Sequence, residues 1–202
     1  METKVVLFDA DGVLIKKPQL NSSQRLERNY GIPSSKIVPF YTGVFQDCQI
    51  GKKDLREVLP GFLKDWGWKG TIDKFLKEWF EPESHVNKEL MEMVQTIRKN
   101  GIKCYLATNN EKYRTEYIRN QMGFGKLLDG IISSAEIGCK KPAAEFFQRC
   151  ISTAGVEPNT IMYFDDQEEN FRAGSQMGMQ SFLYKRIESF KDGAWHLLLP
   201  KD

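Results

Sequence analysis

The spacing of apolar residues changes along this chain, and the changes predict where strands and helices lie. Short apolar runs predict five strands, at Val5–Phe8, Ile102–Ala107, Gly130–Ile132, Thr160–Phe164 and Gln180–Tyr184. Apolar residues that recur every three or four positions predict helices near Leu90–Ile97 and at Glu111–Met122, Ala143–Ala154 and Glu168–Met177. Since strands that alternate with helices pair in parallel, we expect an α/β fold with a parallel sheet flanked by helices.

The stretch from about Ile15 to Pro82 follows a different pattern. Its apolar residues fall at helical spacing, first at Leu55, Val58, Leu59 and Phe62 and again from Ile72 to Phe80, without a strand-like run. We therefore predict a core domain of residues 1–14 and 86–202 and an inserted all-helical domain of residues 15–85. We expect the aromatic residues of the insertion to form its own small core, although one or two could line a substrate pocket: Phe40, Tyr41, Phe45, Trp66 and Trp68.

Composition narrows the classes of partner. The 202 residues carry a net charge of +2, which gives no electrostatic reason to expect nucleic acid or an anionic membrane as partner. The four cysteines have no CxxC spacing and predict reduced thiols, and no run approaches the roughly 20 apolar residues of a membrane span. We expect a soluble cytoplasmic protein, a monomer or homodimer, that acts on a small molecule.

Four groups of polar residues fall at or just beyond the C-terminal ends of predicted strands. Asp9 and Asp11 come directly after the first strand, and Thr108-Asn109-Asn110 follows the second. Lys140-Lys141-Pro142 leads into a helix, and Asp165-Asp166 follows the strand that ends at Phe164. Because the carboxyl ends of parallel strands share one edge of a sheet, these groups are expected to converge there.

The collected groups suit phosphoryl transfer. Carboxylate and carbonyl oxygens without His or Cys favour a hard cation, and Mg²⁺ fits best. Asp9 can attack phosphorus to form an aspartyl-phosphate, while a protonated Asp11 can supply the proton that the leaving alkoxide needs. Thr108 and nearby backbone N–H groups can hold the phosphoryl oxygens, and Lys141 offers positive charge.

At these residues the chain resembles the haloacid dehalogenase superfamily of phosphohydrolases. Phe8–Leu14 resembles the first motif of that family, with Asp9 as nucleophile and Asp11 as general acid/base, and Leu106–Asn109 resembles the second. Lys141-Pro142 resembles the third motif, which would make Lys140 a bystander, and Phe164–Asp166 with Asn170 resembles the fourth. The resemblance places the metal on the Asp9 and Asp166 carboxylates and the Asp11 carbonyl, with Asp165 acting through water. It places the substrate phosphate against Ala10, Asp11, Thr108, Asn109 and Lys141.

The resemblance also implies a Rossmann-like core with a helical cap inserted after the first motif. The insertion of residues 15–85 matches that cap class. Gln49–Leu55 is similar to a cap segment of sugar-phosphatase members, but Lys52 and Lys53 stand where those relatives often have an acidic residue. Phe45, Lys52 and Lys53 are the candidates for substrate contact in the cap.

The function expected on these grounds is a Mg²⁺-dependent phosphatase for a small phosphorylated metabolite such as a sugar phosphate. A phosphomutase would share the core residues, but its relatives carry a cap His shortly after the first motif, and residues 16–30 contain none. A dehalogenase would lack the acid at Asp11. A non-catalytic phosphate-binding regulator usually loses a catalytic position, and none is lost here.

Overall fold

The computed structural model describes residues 2–199, and a five-stranded parallel sheet forms its centre. In chain order the strands are β1 (Val5–Phe8), β2 (Lys103–Thr108), β3 (Gly130–Ser133), β4 (Ile161–Asp165) and β5 (Gln180–Leu183). Their spatial order is β3-β2-β1-β4-β5, with every neighbouring pair parallel. The predicted parallel sheet is therefore confirmed, with strand boundaries that differ from the sequence prediction by about one residue.

β1 occupies the middle of the sheet because all four of its side chains are apolar and buried. Its residues alternate between two faces, as the pleat of a strand requires. Val6 and Phe8 contribute to one hydrophobic cluster, and Val5 and Leu7 contribute to the cluster on the opposite face. Helices cover both faces, which is why the strand reads as a continuous apolar run.

The helices around the sheet come mostly from the second half of the chain. They are α6 (Lys88–Lys99), α7 (Lys112–Glu116), α8 (Phe124–Leu127), α9 (Ser134–Ile137), α10 (Ala144–Ala154), α11 (Glu168–Gln176) and α12 (Ile187–Gly193). The helix predicted for 111–122 is divided, since α7 continues as a π-helical turn over Tyr117–Gln121. In this turn Ile118 is buried in the core beneath the sheet, while Tyr117 packs against the insertion. Adjacent residues thus serve two different cores.

The insertion is helical and has its own hydrophobic core. Its helices are α1 (Ser22–Tyr30), α2 (Ser34–Thr42), α3 (Phe45–Gln49), α4 (Leu55–Trp66) and α5 (Ile72–Phe80). Asn21, Asp54 and Thr71 cap the first turns of α1, α4 and α5 through their side chains. Phe40, Phe45 and Trp66 are buried in this core, and Tyr41 and Trp68 pack against it, as the sequence predicted.

The chain leaves and re-enters the sheet domain along two adjacent segments. Ile15 and Val86 form an antiparallel bridge, and Lys16 N donates to His85 O at 2.8 Å. This pairing lies at the boundaries proposed for the two domains, residues 1–14 and 86–202 against 15–85. Within residues 2–199, no helix has the length and apolar character that crossing a membrane would need.

Candidate active site

Three neighbouring strands bring the candidate residues to one edge of the sheet. Asp9 follows β1, Thr108 ends β2 and Asp165 ends β4, and β1 lies between the other two. Lys141 reaches the same place from the loop before α10. The backbone thus brings these residues together at one edge of the sheet, as the sequence predicted.

Lys141 lies at the base of the site and joins two of the carboxylates. Its Nζ donates to Asp9 Oδ1 at 2.7 Å and to Asp165 Oδ2 at 2.6 Å, and its side chain is 1% exposed. Burial opposes the charge, but the two carboxylates outweigh that effect and raise the pKa of Lys141 above its ordinary value. Lys141 therefore remains an ammonium that offsets the negative charge of the site.

Asn109 holds the backbone of Lys141 rather than standing free for a ligand. Lys141 N donates to Asn109 Oδ1 at 2.8 Å, and Asn109 Nδ2 donates back to Lys141 O at 2.9 Å. This reciprocal pair fixes the second and third motif segments to each other. The Asn109 side chain, which was predicted to bind phosphate, thus supports the backbone of Lys141.

Asp165 is fully buried and densely hydrogen-bonded. Besides Lys141, its carboxylate accepts hydrogen bonds from the Tyr163 hydroxyl, from Gln167 N at 2.8 Å and from Asn170 Nδ2 at 3.1 Å. These bonds satisfy the buried charge, because each lone pair of the carboxylate gains a donor. Asp165 therefore orients Lys141, and a role for Asp165 toward a metal through water stays a prediction.

Three carboxylates, including Asp165, lie close enough together to surround a cation. One oxygen each from Asp9, Asp165 and Asp166 lies within 4.8 Å of the others. Asp166 Oδ2 is buried and accepts no hydrogen bond from the described part of the chain, although the ammonium of Lys17 lies against it. Burial raises the pKa of Asp9 to about 7, with Lys141 acting against this rise. A donor set made of carboxylate oxygens alone fits Mg²⁺.

Thr108 and Asp11 are linked by the side chain of Asn110. The Thr108 side chain is buried, and its Oγ1 accepts a hydrogen bond from Asn110 Nδ2 at 2.7 Å. The same amide donates to Asp11 Oδ2 at 3.2 Å. The Asp11 side chain is 51% exposed, so its carboxyl is accessible to a bound molecule and to water.

Arg114 is a site residue that the sequence analysis missed. It lies in α7, one helical turn beyond Asn110. Its guanidinium is buried, and Nη2 lies 3.6 Å from Asp11 Oδ1. The sequence offers one signal that could have found it, since an arginine close behind the second motif and beside the capping Glu111 falls at the same sheet edge.

A cavity of about 270 Å³ lies between the insertion and the sheet edge, beside Asp11. Most of its lining residues have hydrogen-bonding side chains, and three of them are aromatic. The lining consists of Asp11, Asn21, Ser22, Tyr41, Phe45, Gln49, Trp79, Glu83, Asn109, Asn110 and Arg114. Phe45 lines this cavity, as expected for a substrate contact. Lys52 and Lys53 do not, because both are exposed and Lys53 lies 3.4 Å from Asp47 instead.

Lys140 connects the insertion to the sheet domain. Its Nζ donates to Gln49 Oε1 at 3.1 Å and contacts Gln46 Oε1. Gln49 in turn donates through Nε2 to Asn109 O at 3.1 Å. The lysine expected to be a bystander thus holds α3 against the loops that carry the second and third motifs.

Comparison with known proteins agrees with this geometry. A family model described as haloacid dehalogenase-like hydrolase matches residues 3–178. Phosphatase MT3486 of Mycobacterium tuberculosis is 22% identical over 201 residues, covering 96% of this chain and 92% of that protein. D-ribitol-5-phosphate phosphatase of Bacteroides thetaiotaomicron is 21% identical, covering 89% and 90% respectively.

A solved structure shares the fold. It is that of a HAD family enzyme from Bacteroides thetaiotaomicron in complex with magnesium and inorganic phosphate. It superposes with a TM-score of 0.77 at 18% identity and covers 89% of this chain and 93% of that chain.

Proposed function

The chain belongs to the haloacid dehalogenase-like hydrolase family, and we propose that it is a Mg²⁺-dependent phosphatase that hydrolyses a small phosphorylated metabolite of the sugar or polyol class. The observation that carries this proposal is the placement of Asp9. Its Oδ1 accepts hydrogen bonds from Lys141 Nζ at 2.7 Å and from Ala10 N at 2.8 Å, beside the hydroxyl-bearing end of β2.

Asp9 is the nucleophile of the proposed reaction. A carboxylate oxygen of Asp9 forms a bond to phosphorus as the bond from phosphorus to the leaving oxygen breaks. Lys141 holds the carboxylate in one orientation, and the Thr108 hydroxyl and nearby backbone N–H groups hold the phosphoryl oxygens. When bound to Asp9, Asp166 and the Asp11 carbonyl, Mg²⁺ would neutralise the carboxylates and orient a phosphoryl oxygen.

Asp11 moves the protons. It gives a proton to the leaving oxygen in the first step and then accepts one from the water that attacks the aspartyl-phosphate, which releases phosphate and restores both carboxyl groups. Its partly exposed position at the cavity mouth suits both roles, because the leaving group and the water must approach from that side.

The cavity supports a small, hydroxyl-rich leaving group. Its volume of about 270 Å³ lies just below the usual range of ligand pockets, roughly 300–1,000 Å³, and so suits a small molecule. Glu83, Asn21 and Tyr41 offer hydrogen-bonding groups in the wall, while Phe45 and Trp79 offer flat apolar faces. Two relatives carry names that fit this class, D-ribitol-5-phosphate phosphatase and validoxylamine A 7'-phosphate phosphatase of Streptomyces hygroscopicus.

The test is phosphate release by the purified protein, with Mg²⁺ and with EDTA. The panel contains p-nitrophenyl phosphate, sugar and polyol phosphates, phosphoglycolate and nucleotides. We expect turnover that requires Mg²⁺, is highest on a sugar or polyol phosphate, and is lost in Asp9→Asn. Binding of inorganic phosphate without turnover of any compound would instead indicate a regulator, and isomerised phosphate ester without free phosphate would indicate a mutase.

A further inference from the structure

We infer that Arg114 is a positioning residue for Asp11, holding that carboxyl to the segment through which the insertion rejoins the sheet domain. This inference rests on the proposed function, in which Asp11 moves the protons. Its basis is the arrangement around one guanidinium. Arg114 Nη2 lies 3.6 Å from Asp11 Oδ1 and also donates to Glu83 O, while Nη1 donates to Phe80 O and to Ser84 Oγ, each at 3.1 Å.

The partners of Arg114 account for most of its donors. The two N–H bonds of Nη1 go to Phe80 O and Ser84 Oγ, and one of Nη2 goes to Glu83 O. The second N–H of Nη2 is left available to Asp11, whose Oδ1 lies 3.6 Å from this nitrogen, an ion-pair distance longer than a hydrogen bond. The three partners therefore fix the guanidinium beside the carboxyl.

The guanidinium is held on every side. Its charge lies over the Phe80 ring at 5.5 Å and over the Tyr117 ring at 5.7 Å, and the side chain is 5% exposed. Its backbone is fixed as well, because Glu111 caps α7 by accepting Arg114 N at 2.5 Å and Tyr113 N at 2.8 Å. An exposed arginine would sample many rotamers, whereas this one is confined to a single position.

Asp11 needs such a restraint. Its side chain is half exposed, and the other contact described for its carboxyl is the neutral Asn110 amide at 3.2 Å. A proton donor has to sit within hydrogen-bond reach of the leaving oxygen, and small misplacements are expensive in rate. The carbonyls of Phe80 and Glu83 belong to the segment through which the chain returns from the insertion to the sheet domain (residues 80–85, the return segment of the insertion). A shift of that segment would move Arg114 and change the orientation of Asp11.

The leaving group of the substrate separates this role from a merely structural one. An alkyl phosphate needs a proton on its leaving oxygen, whereas p-nitrophenolate leaves without one. Under the proposal, Arg114→Met lowers kcat/KM for the preferred alkyl phosphate about 10²-fold and for p-nitrophenyl phosphate by less than about 10-fold, the lower range of general-acid effects. The ratio kcat/KM is the proper measure, because it reports steps up to formation of the aspartyl-phosphate.

Two further comparisons guard against a folding defect. Arg114→Lys keeps the charge without the planar fork and should recover part of the alkyl phosphate activity. In an Asp11→Asn background, Arg114→Met should cause no further loss of kcat/KM on the alkyl phosphate, since the group it positions is already gone. The matched control is Arg119→Met, whose Nη2 lies 2.6 Å from Glu136 at the surface, and it should behave as wild type.

Circular dichroism and thermal unfolding of each variant complete the experiment. Equal losses on both substrates, or full additivity with Asp11→Asn, would overturn the role of Arg114. A wild-type protein that releases phosphate from neither substrate would overturn the proposed function and this inference together. An active wild type whose Arg114 variants lose equal activity on both substrates would overturn only the inference.

Discussion

Lys141 Nζ lies 2.7 Å from Asp9 Oδ1, although 132 positions separate the two residues in the chain. The contact forms because β1 and the loop before α10 end at the same sheet edge. With Asp165 as its second partner, Lys141 is the buried cation of a group of carboxylates. Under the proposed function, stability and catalysis therefore depend on the same ammonium.

Replacing Lys141 by Met is expected to impair both properties. The substitution leaves Asp9 and Asp165 buried without a counter-charge, and breaking a buried pair in this way costs about 3–5 kcal/mol. Urea unfolding should show this loss of stability, and phosphate release should fall to background. The control is Lys126→Met, which removes an exposed lysine of α8, and it should leave both properties unchanged. Unaltered stability in Lys141→Met would show that the carboxylates lose their charge at little cost.

Lys17 should compete with the metal for Asp166. Its ammonium lies against Asp166 Oδ2, an oxygen proposed to bind Mg²⁺, while 61% of its side chain is exposed. Because the lysine of this pair is mostly exposed, the pair is worth up to about 1 kcal/mol, so Lys17→Gln should tighten Mg²⁺ binding about two- to fivefold. Isothermal titration of Mg²⁺ into metal-free protein measures this change, with Lys16→Gln as the neighbouring control. Weaker binding in Lys17→Gln would contradict the competition.

The sheet and the four motif positions could be predicted from the sequence because each depends on a local pattern. A short apolar run followed by Asp9 or Asp165 identifies both a strand and the edge at which it ends. Arg114 and Lys140 could not be assigned in this way, since their roles depend on how the insertion packs against that edge. Nothing local to α7 shows that Phe80 O and Glu83 O face its arginine.

The lining of the cavity could be predicted only in part, for the same reason. Lys52 and Lys53 were candidates for substrate contact in the cap, yet both are exposed in the turn after α3. Glu83 lines the cavity instead, held by Arg25 Nη2 at 2.7 Å. Its position depends on the return segment of the insertion, which carries no motif.

Gly12 should be required for the position of Asp166. The φ angle of Gly12 is +97°, and a Cβ there would lie 2.7 Å from Asp166 Cγ and 2.8 Å from Lys17 Cε. Gly12→Ala must therefore displace the Asp166 carboxylate, and we expect Mg²⁺ affinity and kcat to fall by about 10-fold or more, within the range of second-shell effects on metal sites. Calorimetry and phosphate release measure the two quantities.

The matched control for Gly12 is Gly155→Ala. Gly155 also has a positive φ, +66°, but a Cβ there meets nothing within 4 Å. Both variants place an alanine at positive φ, so a loss of Mg²⁺ affinity in Gly12→Ala that is absent in Gly155→Ala indicates the collision with Asp166. Equal Mg²⁺ affinities in the two variants would refute the steric argument.

Glu111 should make the protein less stable as the pH rises. Burial raises the pKa of Glu111 to about 7 from an ordinary 4.5, against the two backbone hydrogen bonds that it accepts. Between those values the folded protein holds a proton that the unfolded chain has lost, so this group's contribution to stability falls as pH rises through that window and levels off above pH 7.

Glu111→Gln removes the titration. The free energy of unfolding of the variant relative to wild type should therefore increase by about 3 kcal/mol from pH 4.5 to 7.5. Urea unfolding at several pH values measures the difference, and the exposed Glu57→Gln provides the comparison that isolates burial. A difference that stays constant across this range would mean that Glu111 is charged in the folded protein throughout, with its capping bonds to Tyr113 and Arg114 outweighing burial.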